Sequence, residues 1–103
     1  MDIESLENLV GTPRDNAMLR LTLARLLMEG QALPRAEAHL LAAVEMNPDY
    51  TAAWKELGRV RNLAGDRQSA EAAWRQGIEV ARENGDKQAE KEMTVFLKRL
   101  TRP

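Results

Sequence analysis

Apolar side chains recur along this chain at steps of three and four, the spacing of one helix face. Ile3, Leu6, Leu9 and Val10 mark a short amphipathic segment at the start. At the other end Ala89, Met93, Phe96, Leu97 and Leu100 line one side, while Lys87, Glu90, Lys91, Lys98 and Arg99 mostly occupy the rest. Between them, glycines and prolines punctuate the pattern. Thr12-Pro13-Arg14-Asp15 has a cap threonine, a proline at a first helical position and an acid three residues after the cap, so the first long helix is expected to start there. Gly30 is expected to close it in the left-handed conformation, and Pro34 to open the next helix. Asn47-Pro48-Asp49 is expected to stop that helix and cap another. Ala64-Gly65-Asp66 and Asn84-Gly85-Asp86 repeat one device, a glycine after a helix and an aspartate that caps the next. The pattern predicts an all-α chain of helical hairpins joined by short turns.

Sliding the sequence against itself by 34 residues lays positions 17–50 over 51–84 without a gap. Leu23 meets Leu57, Arg25 meets Arg59, Ala36-Glu37-Ala38 meets Ala70-Glu71-Ala72, Leu40 meets Trp74 and Val44 meets Ile78. The pairs Ala24 and Gly58, Ala36 and Ala70, and Ala43 and Gly77 are all small. Where two helices cross closely, one must present a small side chain so that the partner's large one has room.

These features resemble the tetratricopeptide repeat family, whose 34-residue unit is a helix-turn-helix. Counted from Thr51, the second unit has the family's Trp54, Leu57-Gly58, Gly65-Asp66, Ala70 and a large residue, Trp74. The first has Leu23, Ala24, Leu27, Ala36, Leu40, Ala43 and the closing Asn47-Pro48. Arg20 and Arg61 stand where the family prefers aromatics, and Gly77 where it prefers Ala. After residue 84 the register fails, with Lys91 at the third unit's seventh position, so the last segment reads as a solvating cap helix. The expected organisation is a single domain over 1–103: an N-terminal segment 1–16, repeats at 17–50 and 51–84, and a capping helix and tail at 85–103. The whole chain also resembles the small stand-alone bacterial members of the family.

Composition narrows the chemistry. There are 15 Ala and 14 Leu against 5 Val and 2 Ile, which agrees with helices and not strands. The absence of cysteine removes disulfides, thiolate catalysis and Cys-ligated metal, and a lone His39 offers little for a metal cage or acid-base work. His39 adjoins the Ala36, Leu40, Ala43 stripe and is expected at the core's boundary. No glycine-rich phosphate loop is present. The expectation is a protein without catalysis, cofactor or metal. Fifteen basic residues nearly balance sixteen acidic ones, so no net field draws the chain to nucleic acid or a bilayer. The acidic start, Asp2, Glu4 and Glu7, is unlike a secretory signal, and a cytoplasmic protein is expected.

The resemblance implies a recognition module in which the first helix of each unit lines a concave groove. Mapped by position, that face holds Met18, Leu21, Thr22, Arg25, Met28 and Glu29, then Ala52, Lys55, Glu56, Arg59, Asn62 and Leu63. Of these, Met18, Leu21, Arg25, Met28, Lys55, Arg59 and Asn62 are the expected partner contacts, the methionines adapting to apolar groups and the cations holding carboxylates. The expected partner is therefore another protein or peptide, with acidic groups. Family members that clamp a terminal carboxylate carry Lys at the fifth position and Asn at the ninth; this chain has Lys55, but Arg25 and Arg59 at the ninth. Two other readings compete. Two repeats leave ends that a second copy could cover, giving a weak homodimer in place of a monomer. The 11 arginines also suggest RNA, but groove-facing aromatics for stacking bases are absent.

Overall fold

The computed structural model describes residues 2–102. It is built from six helices: α1 (Ile3–Glu7), α2 (Ala17–Glu29), α3 (Leu33–Met46), α4 (Thr51–Leu63), α5 (Arg67–Asn84) and α6 (Lys87–Thr101). Consecutive helices pack as antiparallel hairpins. α4 also touches both α2 and α6 directly, whereas α3 and α5 do not meet. The row therefore curves toward the α2, α4, α6 side, which forms the inner, concave layer.

Three helices end in one geometry. The amide of Ala32 reaches back to the Leu27 carbonyl at 2.9 Å, that of Asp66 to Arg61 at 2.9 Å, and that of Asp86 to Ala81 at 2.8 Å. Each six-to-one bond forces the residue before its donor into the left-handed region. Gly65 and Gly85 accept it with φ of 84° and 69°. In the first turn the residue is Gln31, at φ 62°, and the expected Gly30 has an ordinary φ of −85°. The hydrogen bond fixes the position, and glycine's preference does not move it. Asp66 and Asp86 then cap α5 and α6 by accepting from Ser69 and Ala89.

Two other helix starts differ from expectation. α2 begins at Ala17, capped by Asn16, whose side-chain oxygen accepts from the Leu19 amide at 2.7 Å. Thr12 to Asp15 forms a turn before it. The Thr12 hydroxyl donates to Leu9, and the Asp15 carboxylate accepts from the Gly11 amide and from both Nε and Nη2 of Arg20. With its oxygens on Arg20 and Gly11, Asp15 does not close a capping box on Thr12, whose amide donates to the Leu9 carbonyl. The Arg20 guanidinium, then the Gly11 amide, hold its carboxyl down at about 2. Asp49 does not cap α4 either; Tyr50 occupies that position with no side-chain bond, and the Asn47 oxygen accepts from the Asp49 amide.

The core runs along the interface between the layers. Leu23, Leu27, Leu40, Leu57, Val60 and Met93 are almost completely buried, as are Ala24, Ala36, Ala43 and Ala70. The small positions are tight. A Cβ built on Gly58 would lie 2.2 Å from the Trp74 indole nitrogen, and one on Gly77 would lie 2.5 Å from the Met93 sulfur. Arg61 replaces an aromatic without orphaning its charge: Nε donates to Glu37 on α3 and Nη1 to the Ser69 carbonyl. No helix is long and apolar enough to cross a membrane among the described residues.

The last helix resumes the repeat at an offset. Spacing from α4 is 36 rather than 34, so that Ala53 corresponds to Ala89, Leu57 to Met93 and Val60 to Phe96. α6 packs on α5 and touches α4, as α4 packs on α3 and touches α2. It is thus a third inner-layer helix, and a wall of the concave face.

Candidate functional site

The inner layer carries two adjoining depressions near the C-terminal ends of α2, α4 and α6. One, of about 290 Å³, is lined by Arg25, Met28 and Glu29 of α2 and by Glu56, Arg59 and Leu63 of α4. The next, of about 360 Å³, lies between α4, α5 and α6, lined by Arg59, Asn62, Leu63, Arg67, Trp74, Phe96, Arg99 and Leu100. Arg59 and Leu63 border both. A third hollow, toward the N-terminal ends of α4 and α6, includes Lys55, Ala52, Gln88 and Glu92.

Helical spacing places the side chains. Residues 25, 28 and 29 lie within one turn of α2, and 56, 59 and 63 follow the i, i+3, i+4 rule on α4. The expected contact residues divide accordingly. Arg25, Met28 and Arg59 come together in the first depression, Asn62 joins Arg59 in the second, and Lys55 stands in the third. Met18 is 68 % exposed and sits apart, beside Met46 and Tyr50 at the start of α2. Leu21 is 3 % exposed and belongs to the core, and Met28 contributes to both core and groove floor.

Electrostatics separate committed charges from available ones. Glu56 is buried, and its two oxygens accept from Nη1 of Arg59 at 3.0 and 2.8 Å. A buried carboxylate needs such compensation, so Arg59 serves the fold as well as the surface. Lys55 reaches Glu92 at 3.6 Å, linking α4 to α6. Arg25 and Arg99 make no ion pair among the described residues. The groove residues not expected from the sequence are Arg67 and Trp74 of α5 and Phe96, Arg99 and Leu100 of α6. The 36-residue spacing would have found Arg99, because it carries Leu63 onto that position; Phe96 and Leu100 correspond to the buried Val60 and to Ala64 after the end of α4, so spacing alone reads neither as a groove residue.

Other titratable groups lie elsewhere. His39 is half-buried with Nδ1 3.4 Å from Arg20, and burial followed by the Arg20 charge pushes its imidazole down, toward the neutral form. Glu90 pairs with Arg82 on α5, away from the Glu92 and Lys55 pair. No cluster of three metal-ligating side chains is present among the described residues.

No family model matches the chain. It is 48 % identical, over 99 % of its own length and 97 % of the relative's, to a TPR repeat-containing protein of Pseudomonas aeruginosa. The solution structure of a Bordetella parapertussis protein superposes with a TM-score of 0.85 at 40 % identity, covering 99 % of this chain and 89 % of that one. A tetratricopeptide repeat domain protein of Salinibacter ruber matches with a TM-score of 0.79 at 29 % identity, over 86 % of this chain and 89 % of its own.

Proposed function

The chain belongs to the tetratricopeptide repeat family, and from that premise we propose that it is a non-catalytic adaptor whose concave layer receives a peptide segment or helix of a partner protein. The observation that carries this is the pair of adjoining depressions on α2, α4 and α6, where apolar side chains meet Arg25 and Arg99, cations that make no ion pair among the described residues. Leu63, 58 % exposed at the border of both, is an apolar contact that water does not favour and a partner can cover. Arg25, which makes no ion pair among the described residues, supplies a charge for a carboxylate.

Reversing Arg59 is a poor test, since it would leave Glu56 buried without its cation and lower stability by about 1–3 kcal/mol. Arg25→Glu with Lys55→Glu is the better one. Capture of a native partner from the source cell's lysate is expected to fall roughly tenfold or more with this pair, while Gln76→Glu, on the exposed side of α5, leaves it unchanged. Unchanged capture by the double variant, with helicity intact by circular dichroism, would remove the groove as the binding face.

A further inference from the structure

The α4–α5–α6 depression differs from its neighbour in chemistry. Among the described residues its charged lining is entirely cationic: Arg59, Arg67 and Arg99, with no acidic side chain. Its floor is apolar, formed by Leu63, Phe96 and the edge of Trp74, whose ring centroid lies 5.4 Å from that of Phe96. Trp74 cannot swing away, because its indole N–H donates to the Lys55 carbonyl at 3.1 Å and its ring lies against Gly58.

The three guanidiniums are differently engaged. Arg59 spends Nη1 on Glu56 and keeps Nε and Nη2. Arg67 donates one Nη2 bond to the Leu100 carbonyl, which anchors its positive charge at the C-terminal end of α6. Arg99 makes no hydrogen bond or ion pair among the described residues. Of these three like charges only Arg59 is paired with a carboxylate among the described residues, that of Glu56; the repulsion among them is relieved by negative oxygens arriving from outside. An apolar floor inside a ring of cations complements a side chain that is itself apolar and flanked by carboxylates.

We propose that this depression is the anchor subsite of the groove, and that it takes an aromatic or leucine side chain of a partner protein lying between aspartates or glutamates in its sequence. The inference rests on the adaptor reading and gives it a specific address. The apolar side chain enters over Leu63 and Phe96. The flanking carboxylates accept from Arg67 and Arg99 at the rim, and Arg59 joins this subsite to the α2–α4 depression, so the bound segment continues toward Arg25.

The probe is a doubly blocked peptide, acetyl-Gly-Glu-Asp-Phe-Glu-Asp-Gly-amide, titrated into the ¹⁵N-labelled full chain and followed by NMR. Saturable shifts are expected at the amides of Arg59, Arg99 and Leu100 and at the Trp74 indole N–H. Replacing the peptide's Phe by Ser is expected to weaken binding roughly fivefold or more, as loss of a buried aromatic requires. Arg99→Glu, at an exposed position with no ion pair to break, is expected to weaken it roughly tenfold, and Arg67→Gln by less. Absence of a saturable shift at these residues overturns the subsite, as does equal binding of the Ser peptide or of the Arg99→Glu protein. Tighter binding of the same peptide with a free terminal carboxylate would also overturn it, by making the chain end the anchor. Shifts confined to Arg25, Met28 and Glu56 overturn the subsite while leaving the adaptor reading standing, and shifts confined to the exposed faces of α3 and α5 count against both.

Discussion

Replacing Met93 by Ala is expected to lower the stability of the folded chain by about 2–5 kcal/mol, while Lys91→Ala, two residues earlier, changes it by no more than about 0.5 kcal/mol. The contrast follows from register. If α6 continued the 34-residue spacing, Lys91 would occupy the position of Leu57 and point into the core. In the structure Met93 takes that place with no exposed surface, its sulfur packed over Gly77, and Lys91 is exposed. Deleting the thioether leaves a void that the neighbouring Trp74, Ile78 and Ala81 cannot collapse to fill, because α5 is held on its other side by α4. Urea denaturation of the two variants reads the difference directly. For a domain of this size each kcal/mol moves the thermal midpoint by about 4–8 °C. A costly Lys91→Ala beside a mild Met93→Ala would show α6 turned by half its circumference from the orientation described.

The second large effect is a change of sign. Gly58→Ala is expected to destabilise the protein by about 1–3 kcal/mol through overpacking, although alanine is the better helix former by about 1 kcal/mol. The clash wins because the obstructing atoms are the Trp74 ring at 2.2–2.5 Å, and that ring is buried and tied by its N–H to Lys55. In a Trp74→Leu background the same substitution is expected to stabilise. The first hairpin already contains the compatible pair, Ala24 and Leu40, at the corresponding positions, both fully buried. The coupling between the two sites, about 1–3 kcal/mol in a double-mutant cycle, therefore measures one small-to-large exchange made between the repeats. Equal destabilisation by Gly58→Ala in both backgrounds would place the strain elsewhere.

Much of this architecture could be read from residue spacing, for identifiable reasons. Small residues at 24, 36, 43, 58, 70 and 77 have no surface reason to recur, so their alignment already describes helix crossings. Gly65-Asp66 and Gly85-Asp86 carry both parts of a turn in adjacent residues. Gln31 was hidden because a neighbouring glycine offered the more obvious left-handed residue, although the alignment with Gly65 points one residue further on. α6 was hidden by a change of length: α5 has 18 residues against 14 in α3, and a two-residue turn replaces a four-residue one, which shifts everything after it by two. Read as a cap, it was assigned no groove residues, and Phe96, Arg99 and Leu100 went with it. Leu21 and Met28 share the spacing of Arg25, but spacing along α2 does not say which flank of that face α3 and α4 cover. The commitment of Arg59 to Glu56 was visible at i, i+3, and only burial showed that it is a structural necessity.

Everything proposed above turns on the α2, α4, α6 layer being the face that meets a partner. A photo-crosslinking amino acid placed at Thr22 or Asn62 on that layer, and at Leu41 or Gln76 on the exposed sides of α3 and α5, tests it in the source cell. A discrete crosslinked species is expected from Thr22 and Asn62, weakened by Arg25→Glu with Lys55→Glu, and none from Leu41 or Gln76. Crosslinks from Leu41 and Gln76 alone would contradict it.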